Sequence, residues 1–176
     1  IGPFHPRPLE EVYSSILQNL VNGVWNAVTN DVFDTLETDG ASRIGNFGGG
    51  PITYTDLVNM EASINALNIG AGAYVTTPAV KSYLKKTAYL TNQDAIWQDN
   101  EVNGYPAYGV PAANTDKVYF GDFGKCAVGQ WGGLEIVVDP YSDAKKGLID
   151  LTIIGLFDTG CYNPRGLVIM NDASVV

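Results

Sequence analysis

Three residues in the stretch VYFGDFGKCAVGQWGGLEIVVDPY spell a magnesium motif: Asp122, Phe123 and Gly124. In a protein kinase that aspartate holds the metal ion bridging the nucleotide phosphates. The same chemistry needs a glycine-rich loop, a strand lysine paired with a helical glutamate, and an H-R-D catalytic loop, and the sequence has none of them. The triplet therefore reads as a corner between two strands, KVYF and KCAVGQW, with Gly124 supplying a backbone conformation closed to other residues. Other reactions fail for want of partners. The one histidine, His5, lies in a proline-rich leader, which leaves no Ser-His-Asp or Cys-His arrangement. Zinc would need Cys126, Cys161 and His5 to converge, and neither cysteine has a metal-ligand spacing, so the two read as buried thiols. A carboxylate pair can hydrolyse glycosides. Yet Asp122, Glu135, Asp139, Asp143, Asp150 and Asp158 fall mostly at turns or strand ends and read as solvated surface. The 10 Tyr, 6 Phe and 3 Trp could stack on sugars, but packing accounts for them more simply. No catalytic residue, cofactor or metal ligand is assigned.

Composition narrows the remaining classes. The chain has 176 residues, 45% apolar and 16% charged, enough to bury a core in one domain or two small lobes. The net charge is -9 and the densest basic clusters are Lys85-Lys86 and Lys145-Lys146. Binding to a phosphate backbone or an anionic membrane needs a basic stripe that is missing here. No apolar run is long enough to span a membrane. The start, IGPFHPRPLEE, lacks a Met and a signal-peptide pattern, and reads as a chain entered midway.

The elements that must position any site are of two kinds. Leu9, Val12, Ile16, Leu20, Val24, Val28, Val32 and Leu36 recur at steps of three and four, one face of a long helix. Tyr13, Leu17, Trp25 and Phe33 widen that stripe, so the helix is expected to lie along something for most of its length. ETDGASRIGNFGGGPITY reads as an exposed loop. A second helix carries Leu57, Met60, Ile64 and Leu67 on one face, with Thr55 as its cap. AYVTT is a short strand, and Thr77-Pro78 starts a third helix. Later the pattern turns to β: Asn103-Gly104 is a hairpin signal, and LEIVVD, GLIDLTIIGLFDTG and GLVIM read as strands. Helices early and strands late imply an α+β fold.

The order of these segments resembles the major capsid proteins of tailed bacteriophages with the HK97 fold. The resemblance rests on AYVTTPAVKSYLKK, then NEVNGYPAYGVPA, then KVYFGDFGKCAVGQWGGLEIVVDPYSDAKKGLIDLTIIGLFDTGCYNPRGLVIM. It implies a long spine helix with part of a peripheral lobe over 1-50, an axial lobe over 51-120, a peripheral β-hairpin over 121-154, and a returning axial strand with the chain end over 155-176. It implies no enzyme and no cofactor. It implies partners that are other copies of the chain, in pentamers and hexamers, with portal, scaffold or protease and decoration proteins beside them. DNA would be enclosed without specific contact, and no membrane is involved. The expected place is the virion, reached through assembly in the bacterial cytoplasm. The hairpin tip, with Tyr141, Asp143, Lys145 and Lys146, is expected to meet neighbours near threefold axes. LTNQDAIWQDN, with Asn92, Asp94 and Trp97, is expected at the axial tip. The family's N-terminal arm and extended loop have no counterpart in this chain. Some members weld subunits by a Lys-Asn isopeptide bond; the matching asparagine and glutamate positions are Gly147 and Ile154, which implies no such bond here. An encapsulin-type compartment shell and a carbohydrate-binding or carbohydrate-active domain are the alternative readings.

Overall fold

The structure is a computed structural model, and it describes residues 9–38, 42–44, 50–65, 72–89, 94–173 and 175. The elements follow in chain order: α1 (Leu9–Thr38), β1 (Ser42–Ile44), α2 (Tyr54–Asn65), β2 (Ala73–Thr76), α3 (Pro78–Lys86), β3 (Trp97–Gln98), β4 (Glu101–Val102), β5 (Tyr105–Gly109), β6 (Val118–Gly121), β7 (Cys126–Asp139), β8 (Asp150–Cys161) and β9 (Leu167–Met170). Contacts divide the chain into two compact units. One holds residues 1–28 and 129–158, the other 29–128 and 159–176. α1, β7 and β8 each run from one unit into the other.

The second unit is built on a seven-stranded sheet in the order β1-β9-β6-β2-β5-β4-β3. Strands with a period of two place alternate residues on opposite faces. In β6, Val118 and Phe120 join one apolar cluster and Tyr119 the other. In β9, Val168 and Met170 share the face of Val118, while Leu167 and Ile169 share that of Tyr119. The sheet is therefore covered on both sides, and β2, β6 and β9 carry nearly continuous buried runs. Leu57, Met60 and Ile64 of α2 and Val80 and Leu84 of α3 fill the first face. Phe33 and Leu36, from the last part of α1, fill the second. Each such side chain contributes about 1.5–3 kcal/mol by leaving water.

Local chemistry sets the boundaries. The Thr53 and Asp56 side chains cap α2 reciprocally: the Thr53 hydroxyl donates to the Asp56 carboxylate at 2.5 Å, and the Asp56 N–H faces the Thr53 hydroxyl at 3.4 Å. The cap is thus Thr53, and Thr55 lies inside the helix. Thr77 caps α3 as expected, accepting from the Val80 N–H, with Pro78 in the first turn. Ser42–Ile44, read as loop, is a strand paired in parallel with β9. Its pairing with β9 is between segments far apart in the chain, which a three-residue stretch does not advertise.

Two left-handed pairs, Asp99-Asn100 and Asn103-Gly104, turn β3 into β4 and β4 into β5. Only the second was legible as a turn signal. The Asp122-Phe123-Gly124 corner is a single 3-10 turn in which the Asp122 carboxylate accepts the Gly124 N–H at 3.0 Å. It does not depend on Gly124. The strained position is Gly121, at φ 147°, where an added Cβ would lie 2.1 Å from the Gly166 carbonyl oxygen. KCAVGQW and LEIVVD, expected as separate strands, are one strand, β7, which passes through Gly132 at φ 76°.

Candidate interaction surfaces

In the first unit the part of α1 up to Val28 is grouped with a two-stranded ribbon of β7 and β8. Trp25 meets Phe157 edge-on, with ring centroids 5.6 Å apart. Along β8, Leu151, Ile153 and Phe157 are half-buried, while the alternate residues Ile154 and Leu156 are exposed, Leu156 by 66%. Both faces of this strand are thus apolar, and the chain covers one of them at most. Trp131 and Ile149 are 60% and 63% exposed, and Val12, Tyr13, Ile16 and Trp25 of α1 are exposed too. Among the unit's described residues only Val28 is buried. The helical stripe implies cover along most of α1: Val28, Phe33 and Leu36 are buried, Leu17, Leu20 and Val24 are half-buried, and Val12, Tyr13, Ile16 and Trp25 are exposed. An exposed apolar surface of this extent marks a contact with another molecule.

The ribbon ends in a structured tip. The Asp139 carboxylate accepts the N–H groups of Tyr141 and Ser142 at 2.8 and 3.1 Å and the Ser142 hydroxyl. Those hydrogen bonds, led by the Ser142 hydroxyl, hold its carboxyl below the usual carboxylate range. Ala144–Lys146 form a 3-10 turn closed by Gly147 in the left-handed region, at φ 69°. Lys146 Nζ lies 2.9 Å from Asp143 Oδ1, an exposed pair of small energetic weight. Tyr141 projects with 85% of its surface exposed, and Lys145 is exposed beside it. The four expected tip residues are therefore together on one turn.

The second expected surface is divided. Asn92 lies outside the described residues. Asp94 is exposed on an open cleft of about 390 Å³ lined also by Tyr54, Tyr89, Gln98, Glu101 and Asn103. Trp97 belongs to the core: it is 2% exposed, and Lys81 Nζ sits 5.0 Å from its ring centre. The reason is the meander, which turns β3 inward beneath α3. Beneath the cleft, Glu61 is buried and accepts from the Tyr74 hydroxyl at 2.6 Å and the Asn103 amide at 2.7 Å, tying α2 to the β4–β5 turn.

Two features escaped the sequence. Glu37 accepts from Lys117 Nζ, from Asn114 Nδ2 at 2.5 Å and from the Tyr119 hydroxyl at 3.0 Å. The exposed Ile154–Leu156 face was the other; its signal is apolar residues at both odd and even positions of one strand. Among the described residues no three His, Cys, Asp or Glu side chains gather as metal ligands, and no helix is long and apolar enough to cross a membrane.

Residues 20–172 match the model of the phage capsid family. The major capsid protein of Halomonas phage phiHAP-1 is 30% identical over 123 residues, covering 65% of this chain and 20% of that protein. Among solved structures, Mycobacterium phage Che8 matches 95% of this chain and 64% of its own, with a TM-score of 0.58 at 14% identity. The virus-like particle from Pyrococcus furiosus matches 83% and 63%, with 0.59 at 12%. The capsid of an empty GTA particle matches 75% and 50%, with 0.56 at 14%. The chain thus spans a fifth of the curated relative and half to two thirds of these solved chains. At such identities the likeness shows the fold, an α+β fold of the HK97 type.

Proposed function

This chain belongs to the phage capsid family, and from that membership we propose that it is the shell-forming part of a major capsid subunit that assembles with copies of itself. The observation that carries the reading is the first unit's lack of burial. The part of α1 up to Val28 and a ribbon with apolar residues at odd and even positions bury only Val28 among the unit's described residues. A two-stranded ribbon is marginal alone in water, so neighbouring subunits complete it. Repeated use of one surface around symmetry axes closes a shell.

In this reading the first unit is the peripheral lobe and the second the axial lobe. Tyr141, Asp143, Lys145 and Lys146 meet neighbours near threefold axes. The meander end, with Asp94 and the adjoining Asn92, gathers in pentamers and hexamers, while Trp97 supports it from the core. The subunit performs no catalysis. Its net charge of -9 keeps it from adsorbing the DNA it encloses. Portal, scaffold or protease and decoration proteins are the further partners, and the shell forms in the host cytoplasm before it serves in the virion. With Gly147 and Ile154 at the positions noted above, the shell has no Lys-Asn weld.

Electron microscopy of the protein expressed from its whole coding sequence tests the reading. Closed shells of uniform size are expected. A protein that stays monomeric at assembly concentrations and under crowding would overturn it.

A further inference from the structure

Cys126 opens β7 and Cys161 closes β8, and both are thiols of intermediate exposure. Beside them the Tyr162 N–H donates to the Lys125 carbonyl at 3.2 Å. In an antiparallel ladder such a bond joins residues that stand opposite each other, so Lys125 faces Tyr162 and, one step inward, Cys126 faces Cys161. The register continues to Gly129, where an added Cβ would lie 3.7 Å from the Asp158 carbonyl oxygen. The pair that follows a hydrogen-bonded pair is non-hydrogen-bonded, with Cα atoms about 4.5 Å apart and both side chains on one face. Disulfides span roughly 4.4–6.8 Å between Cα atoms. The two cysteines do share a face: both line one small pocket with Val32, Thr35 and Leu36 of α1 and Thr159 and Gly160 of β8. Thr159 fixes the β8 side of that pocket, donating to Asp31 Oδ2 at 2.7 Å and lying 2.8 Å from the Thr35 hydroxyl.

We propose that Cys126 and Cys161 form a reversible cross-strand disulfide at the root of the ribbon when the protein meets a low-molecular-weight disulfide. One cysteine thiolate attacks a sulfur of that oxidant; the oxidant's S–S bond breaks, and one small thiolate leaves. The other cysteine thiolate attacks the protein sulfur of the mixed disulfide and expels the second small thiolate. Two protein thiols are oxidised, one small disulfide is reduced to two thiols, and the two cysteine protons end on those thiols. The bond closes the chain from 126 to 161, so it limits the unfolded ensemble more than the folded state.

The test is incubation of the chain with oxidised glutathione, followed by alkylation, mass spectrometry and non-reducing electrophoresis. Expected are a monomer lighter by about 2 Da that takes no alkylating agent, and a proteolytic fragment pair joined through Cys126 and Cys161. The melting temperature should rise by about 5–10 °C and return on reduction. Cys161→Ser should give only a glutathione adduct on Cys126 and no thermal gain. Two alkylated cysteines, glutathione on both, or a disulfide-linked dimer would each overturn the proposal.

Discussion

Glu37 sits near the end of α1 with three donors around one carboxylate. Burial by itself would raise its pKa. The Lys117 hydrogen bond, with those of Asn114 and Tyr119 and the lysine charge, outweighs that and lowers it below the ordinary 4.5. A depressed carboxyl contributes stability that is present above its unfolded value and is lost as pH falls through the folded one. Glu37→Gln should therefore lower stability at neutral pH by about 1–2 kcal/mol and flatten the loss below pH 4.5. Urea unfolding from pH 3 to 7 checks both. The buried tyrosines act at the other end of the scale. Burial first, then Glu61 against Tyr74 and Glu37 against Tyr119, push both phenols above the ordinary 10. Their folded forms stay neutral, so their contribution is intact below pH 10 and declines above it. Circular dichroism from pH 9 to 12 should show that decline, and Tyr74→Phe should reduce its slope. Neither network has a local signature, since Glu37 and Lys117 are 80 residues apart. The burial of Trp97 has the same cause: it sits in a two-residue strand just before the Asp99-Asn100 turn, and α3 lies against that strand.

At the level of elements, periodicity was a good guide and punctuation a poorer one. α1, α2 and α3 follow from steps of three and four and from threonine-proline capping, which are local in origin. β1 and β3 carry no signal of their own, because strands of two or three residues owe their existence to a partner. A close contact between elements lies at Gly121, where β6 passes the turn before β9. Gly121→Ala would bring a methyl group against the Gly166 carbonyl at a left-handed φ, and should cost about 3 kcal/mol or more. A large fall in the urea midpoint, or loss of soluble protein, is the expected readout. Asp122→Ala next door removes one exposed side-chain cap and should cost no more than about 1 kcal/mol. The contrast separates Gly121, which shapes the corner, from the Asp122-Phe123-Gly124 triplet beside it.

For the whole molecule, the uneven distribution of burial matters most. The second unit has two cores on one sheet, whereas the first has an apolar ribbon and helix with almost nothing buried. Leu156→Asp tests what that surface is for. The side chain is 66% exposed, so the change should alter stability by less than about 0.5 kcal/mol. In the full-length protein it should abolish or sharply reduce shells, because an unpaired charge would have to enter a contact. Equal melting temperatures with lost assembly support the interface; unchanged shells would remove Leu156 from it.

Taken by itself, the sequence determined the α+β class, the three helices, most long strands and, through the order of its segments, the family. These depend on near neighbours: helical and strand periods, capping residues, and glycine or asparagine at turns. Tertiary structure alone decided which half of α1 is covered, where Trp97 lies, how Glu37 and Glu61 are satisfied, and that Cys126 faces Cys161. Each of those facts joins residues distant in sequence. Strand register and the sharing of a sheet between faces fix such pairs, and a one-dimensional pattern does not carry them.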